Sequence, residues 1–260
     1  MFDSHCHLDS ARFDGDRDAV VERARAAGVT RILVPGVEPA EWPRLAEVKA
    51  RYPEVRVAVG LHPQALPDLD AAALDRALGE LESVARALGA VAIGECGFDG
   101  DTAKQGGVTW QTQALVVQAH VRVAEALGLP IVLHVLRAHE QALRVLERHG
   151  PLRAGGVAHS YSGAAELVPR YVALGLHVSF AGSITRERAR RPVEAARAVP
   201  ADRLLVETDA PDQTPTGAGS ERCEPAHIGL VVEAVARARE ATPAEIAALT
   251  AGNAARLFGP

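Results

Sequence analysis

The sequence predicts an α/β chain that closes into a (β/α)8 TIM-like barrel, a single domain. Short apolar runs rich in β-branched residues alternate with segments of helical periodicity along the whole chain, eight of each in strand–helix order. The runs are apolar on both faces, as strands of a buried parallel sheet are. The length of 260 residues suits a barrel of roughly 250 residues. An open doubly wound sheet is the alternative, and its usual signature is a Gly-rich phosphate loop after the first strand. This chain has His5-Cys6-His7 there instead.

The elements follow in order. The first strand is predicted over residues 2–6, and a helix from Asp16 to Ala27 ends at Gly28. Arg31–Val34 is the second strand, and Ala40–Arg51 the next helix. Val55–Val59 is the third strand, followed by a helix over Ala71–Leu88. Ala90–Ile93 is the fourth, followed by a helix over Val108–Leu127 stopped by Gly128. In that helix Val108, Leu115, Val116, Ala119, Val123 and Leu127 read as a core stripe. Pro130–Leu133, Gly156–Ala158, His177–Phe180 and Leu204–Val206 complete the strands. Helices over Glu140–His149, Ala164–Ala173 and Arg186–Ala198 separate them. The tail reads as helices over Pro225–Ala241, Pro243–Leu249 and Asn253–Leu257. Two segments without periodicity, residues 98–107 and 210–224, follow strands and fall at the C-terminal mouth, where barrel active sites lie.

Composition narrows the function. A net charge of -5 excludes a bulk cationic coat for nucleic acid and leaves only local contacts to it. Three unevenly spaced cysteines argue against a disulfide framework and for a reducing compartment. The start lacks a leader-like pattern, and no apolar run reaches the ~20 residues of a membrane span. A soluble, cytoplasmic protein with no obligate protein partner is the expectation.

The chemistry sits at the strand ends. His5 and His7 alternate along the first strand and so face one way. His62 follows strand three, Glu95 strand four, His134 strand five, His159 strand six and Asp209 strand eight. Each alone could be a hydrogen-bonded core or surface residue. Gathered at one mouth without cations, they would carry a large desolvation cost. We therefore assign His5, His7, Glu95 and Asp209 to one divalent metal, and His134 and His159 with the same Glu95 to a second. One glutamate can bridge because it has two oxygens. A mononuclear site, with His134 and His159 on substrate, is the other arrangement. Magnesium, manganese and zinc all suit such donors. Paired cations would activate a water and clamp both oxygens of a displacement, with Asp209 as general base. Glu207 shares the parity of Asp209 and is read as a buried, paired carboxylate, while Cys6 and Cys96 are read as small packing residues.

With those residues in place, the chain resembles the TatD family of metal-dependent deoxyribonucleases, within the amidohydrolase superfamily. The resemblance spans essentially the whole chain. It rests on Phe2 to Asp9, Gly60-Leu61-His62-Pro63, Gly94-Glu95-Cys96-Gly97, Leu133-His134, His159 to Gly163, Leu205 to Pro211, and the tail Thr250 to Asn253 with Leu257-Phe258. It implies a TIM-like barrel, divalent metals on the residues named, and phosphodiester hydrolysis of DNA, often from the 3′ end. Departures fall on the substrate side. The family commonly has Gly-Leu-Asp-Tyr where this chain has Gly97-Phe98-Asp99-Gly100, which removes an aromatic that could stack on a base. It often has x-Arg-Asp where Val135-Leu136-Arg137 stands, and Arg-Asn-Glu-Pro where Arg222-Cys223-Glu224-Pro225 stands.

Arg137 and Arg222 are the phosphate-contact candidates, with His62 beside them as a substrate or catalytic residue. The substrate expected is single-stranded or terminal DNA, or a small phosphodiester. An amidohydrolase or esterase acting on a small molecule or aminoacyl-tRNA would use the same metals. A non-catalytic metal-binding scaffold would not need the base Asp209.

Overall fold

Strands buried on both faces need helices outside and their own side chains inside. The computed structural model of the chain has both. It describes residues 1–106 and 108–259. Gly107, at the end of the 98–107 segment, and Pro260 lie outside the described residues.

The strands are β1 (Phe2–Asp3), β2 (Arg31–Pro35), β3 (Val55–Val59), β4 (Ala92–Asp99), β5 (Ile131–Leu136), β6 (Gly156–Ala158), β7 (Leu176–Phe180) and β8 (Leu204–Val206). They form one sheet in sequential order, and every pairing is parallel. The ends meet where Ser4 N donates to Val206 O at 3.3 Å and Asp209 N donates to His5 O at 2.9 Å. The helices are α1 (Arg17–Ala26), α2 (Trp42–Arg51), α3 (Ala71–Leu88), α4 (Gly100–Lys104), α5 (Trp110–Leu127), α6 (His139–His149), α7 (Val168–Ala173), α8 (Arg190–Ala198), α9 (Ile228–Arg239) and α10 (Pro243–Phe258). Among the described residues no helix is long and apolar enough to cross a membrane.

Side-chain alternation splits the core in two. Ile32, Val57, Ile93, Leu133 and Val178 belong to the large cluster shared with the helices. Leu33, Ala58, Ala92, Val132, Val157 and Leu205 form a smaller one, together with Phe2 and with Ala254 and Phe258 of α10. Residues two apart on a strand share a face. Val132, Val157 and Leu205 therefore put His134, His159 and Glu207 on the inner face, just above that cluster.

Local chemistry explains where the elements stop. Asp70 caps the start of α3 by accepting from Ala73 N, and Gly89 ends it in the left-handed region. Those boundaries match the sequence reading. Other boundaries shift, and the shifts at β4 and in the tail change the picture. β4 runs on to Asp99 because Cys96, Gly97, Phe98 and Asp99 pair with β5 after a register shift. The 98–107 segment is therefore strand and short helix at Phe98–Lys104, not loop. The tail is one helix over Pro243–Phe258, opened by a Thr242/Glu245 capping box, rather than two. In α5, Leu115 is 51% exposed, while polar Gln113 and His120 are buried. Each of those two binds the backbone end of a strand: Gln113 Oε1 accepts from Asp99 N, and His120 Nε2 from Leu61 N.

Candidate metal centre

The ring of side chains read from the sequence converges at the C-terminal mouth of the barrel. His7, His62, Glu95, His134, His159 and Asp209 line one cavity of ≈ 520 Å³. His5 lies fully buried beneath it, with its ring stacked on His159 at 3.8 Å.

Glu95 is the centre of the arrangement. Its Oε2 lies 3.2 Å from His5 Nε2 and 3.6 Å from His7 Nε2. Its Oε1 lies 2.8 Å from His159 Nε2, 3.1 Å from His134 Nδ1 and 3.2 Å from His62 Nε2. Burial alone would push the Glu95 carboxyl up. The imidazoles of His159, His62 and His5 outweigh that and hold it well below the usual range. Asp209 Oδ1 faces the same two imidazoles, 3.6 Å from His5 Nε2 and 3.7 Å from His7 Nε2. Burial opposes its ionisation too, and His159, His5 and His7 reverse it, so Asp209 sits below its ordinary value.

The hydrogen-bond partners show which nitrogen of each ring a cation would take. Against burial, Glu95 and Glu207 hold His159 above its ordinary value; with Nδ1–H on Glu207 Oε1 at 3.2 Å, it is Nε2, facing Glu95, that a cation would engage. His134 Nε2–H donates to Asp99 Oδ2 at 3.3 Å, which aims its Nδ1 lone pair at the same oxygen. A carboxylate that fixes the far nitrogen of an imidazole is the usual support of a metal-ligating histidine. His62 differs. Its Nδ1 accepts from Gln64 N at 3.1 Å, so Nε2 carries the proton. Burial, the largest influence, lowers His62 to about 4 and keeps it neutral. His62 is thus a hydrogen-bond donor to Glu95 rather than a source of a lone pair, although its atoms lie close enough to Glu95 and His134 to count as a candidate group.

The donor set fits divalent cations. Four ligand atoms set tetrahedrally ~2.0–2.2 Å from an ion lie about 3.3–3.6 Å apart. His5 Nε2 and His7 Nε2 are 3.3 Å apart, and their contacts to Glu95 and Asp209 span 3.2–3.7 Å. Glu95 Oε2 and the Nδ1 atoms of His5 and His7 are buried with no hydrogen-bond partner among the described residues. Lone pairs facing a carboxylate oxygen across such distances need a proton or a cation between them.

The supporting shell holds what sequence reasoning saw only in part. Glu207 is fully buried, as expected, and also accepts from Ser160 N at 2.6 Å. Cys6 and Cys96 are fully buried packing residues, and burial pushes both thiols up. Asp99 was not singled out. It accepts from Asp101 N, Thr102 N and Gln64 Nε2 as well as His134. Gln213 was also passed over, and its Nε2 donates to Asp209 Oδ2 at 2.6 Å.

The two arginines chosen for phosphate go elsewhere. Arg137 is exposed, pairs with Asp101 at 2.9 Å, and does not line the cavity. Both terminal nitrogens of Arg222 are engaged, by Arg12 O, both oxygens of Asp16 and Glu224 Oε1, and the guanidinium stacks over the Phe13 ring at 4.7 Å. The sequence could not show these partners, because Arg222 and Asp16 are 206 residues apart.

An eight-stranded parallel barrel with imidazoles and carboxylates set to hold metal at its C-terminal mouth defines a metal-dependent hydrolase. Its sequence matches the family model described as TatD related DNase over residues 2–259, and the chain belongs to that family. It is 33% identical over 258 residues to the uncharacterized metal-dependent hydrolase YabD of Bacillus subtilis, covering 99% of this chain and 98% of YabD. It is 35% identical over 265 residues to the 3'-5' ssDNA/RNA exonuclease TatD of Citrobacter koseri, covering 100% of this chain and 99% of that protein. Among solved structures, the TatD homolog YjjV of Escherichia coli K12 superposes with a TM-score of 0.88 at 31% identity, covering 100% of this chain and 98% of that one.

Proposed function

We propose that the protein is a divalent-metal-dependent phosphodiesterase that trims the 3′ ends of single-stranded nucleic acid, DNA first among them. The observation that carries this is the division of Glu95, with one oxygen toward His5 and His7 and the other toward His134 and His159. A carboxylate shared between two donor sets suits two ions, of magnesium, manganese or zinc, one in each set. When bound, they supply an activated water and Lewis-acid stabilisation of an in-line displacement.

The side chains do the rest. Asp209 is held ionised and receives the proton of the attacking water. Gln213 fixes the orientation of that carboxylate through Oδ2. His62 keeps its proton on Nε2, where it faces Glu95 Oε1 at 3.2 Å and would turn to an oxygen of the substrate once a cation takes Glu95. Asp99 and Glu207 lock the His134 and His159 rings so that the lone pairs do not wander. Support for nucleic acid comes from relatives carrying the exonuclease name across their full length.

A second reading, hydrolysis of a small ester or amide, draws on the cavity wall. Asp9, Glu41 and Asp212 make that wall acidic, which disfavours a long polyanion. The test is a screen of metal-reconstituted protein against labelled single-stranded DNA and RNA, bis-p-nitrophenyl phosphate, and a panel of amides, esters and lactones. Shortening of DNA from its 3′ end is the expected result. Turnover of amides or esters with no phosphodiester cleavage overturns the proposal.

A further inference from the structure

We infer that Arg12 is the residue that recognises substrate phosphate at the cavity mouth, and that Asp212 holds Arg12 when no substrate is present and competes for it when substrate arrives. The inference rests on the phosphodiesterase reading and names the specificity element that reading lacks.

Among the described residues Arg12 is the only lysine or arginine that lines the cavity, whose walls include Asp9, Glu41 and Asp212. A phosphodiester approaching such a mouth meets repulsion unless one cation offsets it. Arg12 stands five residues after His7, on the short turn of helix Ala11–Phe13, so the segment that carries two metal-ligand candidates also carries the cation. Asp212 stands three residues after Asp209 on the neighbouring segment that follows β8, and its N–H donates to Asp209 O at 3.0 Å. The two side chains meet at the rim, Arg12 Nη1 to Asp212 Oδ1 at 2.7 Å.

That contact is built to exchange. Both partners are well exposed, at 50% and 70%, and an exposed ion pair adds little stability. Only Nη1 is engaged, and Nε and Nη2 of Arg12 have no hydrogen-bond partner among the described residues. A phosphate takes two parallel N–H bonds from a guanidinium, which a single carboxylate contact does not match. Arg222 supplies the rigidity. Its Nη1 donates to Arg12 O at 2.8 Å while Nη1 and Nη2 also bind Asp16 and Glu224. Arg222 is therefore a positioning residue for Arg12, and its own charge is spent on neighbouring carboxylates.

The reading makes an unusual demand: the two halves of one ion pair must act with opposite sign. The metal-loaded full chain, as wild type, Arg12→Ala, Arg12→Lys and Asp212→Asn, is assayed on thymidine 5′-monophosphate p-nitrophenyl ester and on p-nitrophenyl acetate. For Arg12→Ala the KM for the diester is expected to rise about tenfold, the size of a lost charge-assisted hydrogen bond. The selectivity for diester over neutral ester should fall by a similar factor. Arg12→Lys should recover part of it, because the charge remains but the fork is gone. Asp212→Asn should lower the KM for the diester about two- to threefold, because the competitor is removed. If both Arg12→Ala and Asp212→Asn raise the KM, the pair is a structural strut and the inference is overturned. If wild type turns over the diester and Arg12→Ala has the wild-type KM, the inference is overturned while the phosphodiesterase reading stands. If wild type cleaves no phosphodiester, that reading falls and the inference falls with it.

Discussion

Replacing Glu207 separates charge from geometry beneath the metal centre. Glu207 is 0% exposed, and its Oε1 accepts from both Ser160 N and His159 Nδ1. Its Oε2 takes a longer bond from Ser4 Oγ at 3.3 Å. In Glu207→Gln the amide oxygen can take the place of Oε1, so both bonds persist but are no longer charge-assisted. His159 becomes a poorer ligand, and metal affinity should fall about tenfold, the low end of the ~10–100-fold range for such supporting partners. In Glu207→Ala both donors lose their acceptor. Each buried orphan costs about 1–3 kcal/mol, together about 2–6 kcal/mol, a large part of a typical ~5–15 kcal/mol stability. Each kcal/mol lowers Tm by about 2–4 °C at this size. Equilibrium dialysis with elemental analysis reads metal affinity, and thermal melting with and without chelator reads stability. Wild-type metal affinity in Glu207→Gln would refute the claim that the negative charge tunes His159. Wild-type melting of Glu207→Ala would show that Ser160 and His159 find other acceptors.

The other expectations are briefer. Asp209→Asn keeps size and one oxygen but cannot take the proton, so kcat should fall about 10²–10⁴-fold with KM near normal; steady-state kinetics checks it, and a normal kcat removes Asp209 as the base and leaves His62 to be tested. Glu95→Ala should strip metal from both donor sets, and elemental analysis showing full occupancy would end its bridging role. Gly97→Ala would put a Cβ 1.9 Å from His134 O, so it should yield insoluble protein or lose metal at His134, whereas a soluble variant with full metal content contradicts the packing described. Burial holds His120 down to about 4 from 6.5, and its neutral Nε2 accepts from Leu61 N. Its folded-state value lies below its unfolded one, so the stability it contributes is present above pH 6.5 and is lost as pH falls toward 4. Urea melts across that window should show a weaker pH slope in His120→Gln, though not a flat one, because His139 and His177 are also lowered to about 4.

Fold was legible where one physical signal dominates. Apolar runs located all eight strands because a parallel barrel strand is buried on both sides and has no polar face to blur it. Helix α3 was bounded correctly because Asp70 and Gly89 each act within a few residues of sequence. The misses arose where tertiary partners override local preference. β4 continues past its apolar run because β5 holds the continuation. The tail is one helix, and within it Asn253 Nδ2 donates to Ala201 O and Leu204 O and ties that stretch to the start of β8. Leu115 was counted as core on hydropathy, whereas the inward positions went to Gln113 and His120, which satisfy strand-end backbone groups.

The same distinction runs through the site. A candidate ligand on a barrel strand announces itself, because a histidine inside an apolar run has its direction set by strand parity. That is why His134 could be placed without coordinates, whereas Asp209, three residues past β8 with φ 55°, reaches the site through a turn. A phosphate-binding arginine sends no such signal. Its side chain is long, its loop has no period, and whether it is free depends on acids far away in sequence. Arg222 and Arg12 are 210 residues apart in sequence, yet they touch, and Arg222 reaches Asp16 just beyond. Arg222 has both terminal nitrogens engaged by protein acceptors, whereas among the described residues only Nη1 of the Arg12 guanidinium has one. Counting arginines near motifs does not reveal that difference. The deciding quantity is the number of guanidinium donors left unpaired, and only the folded chain defines it.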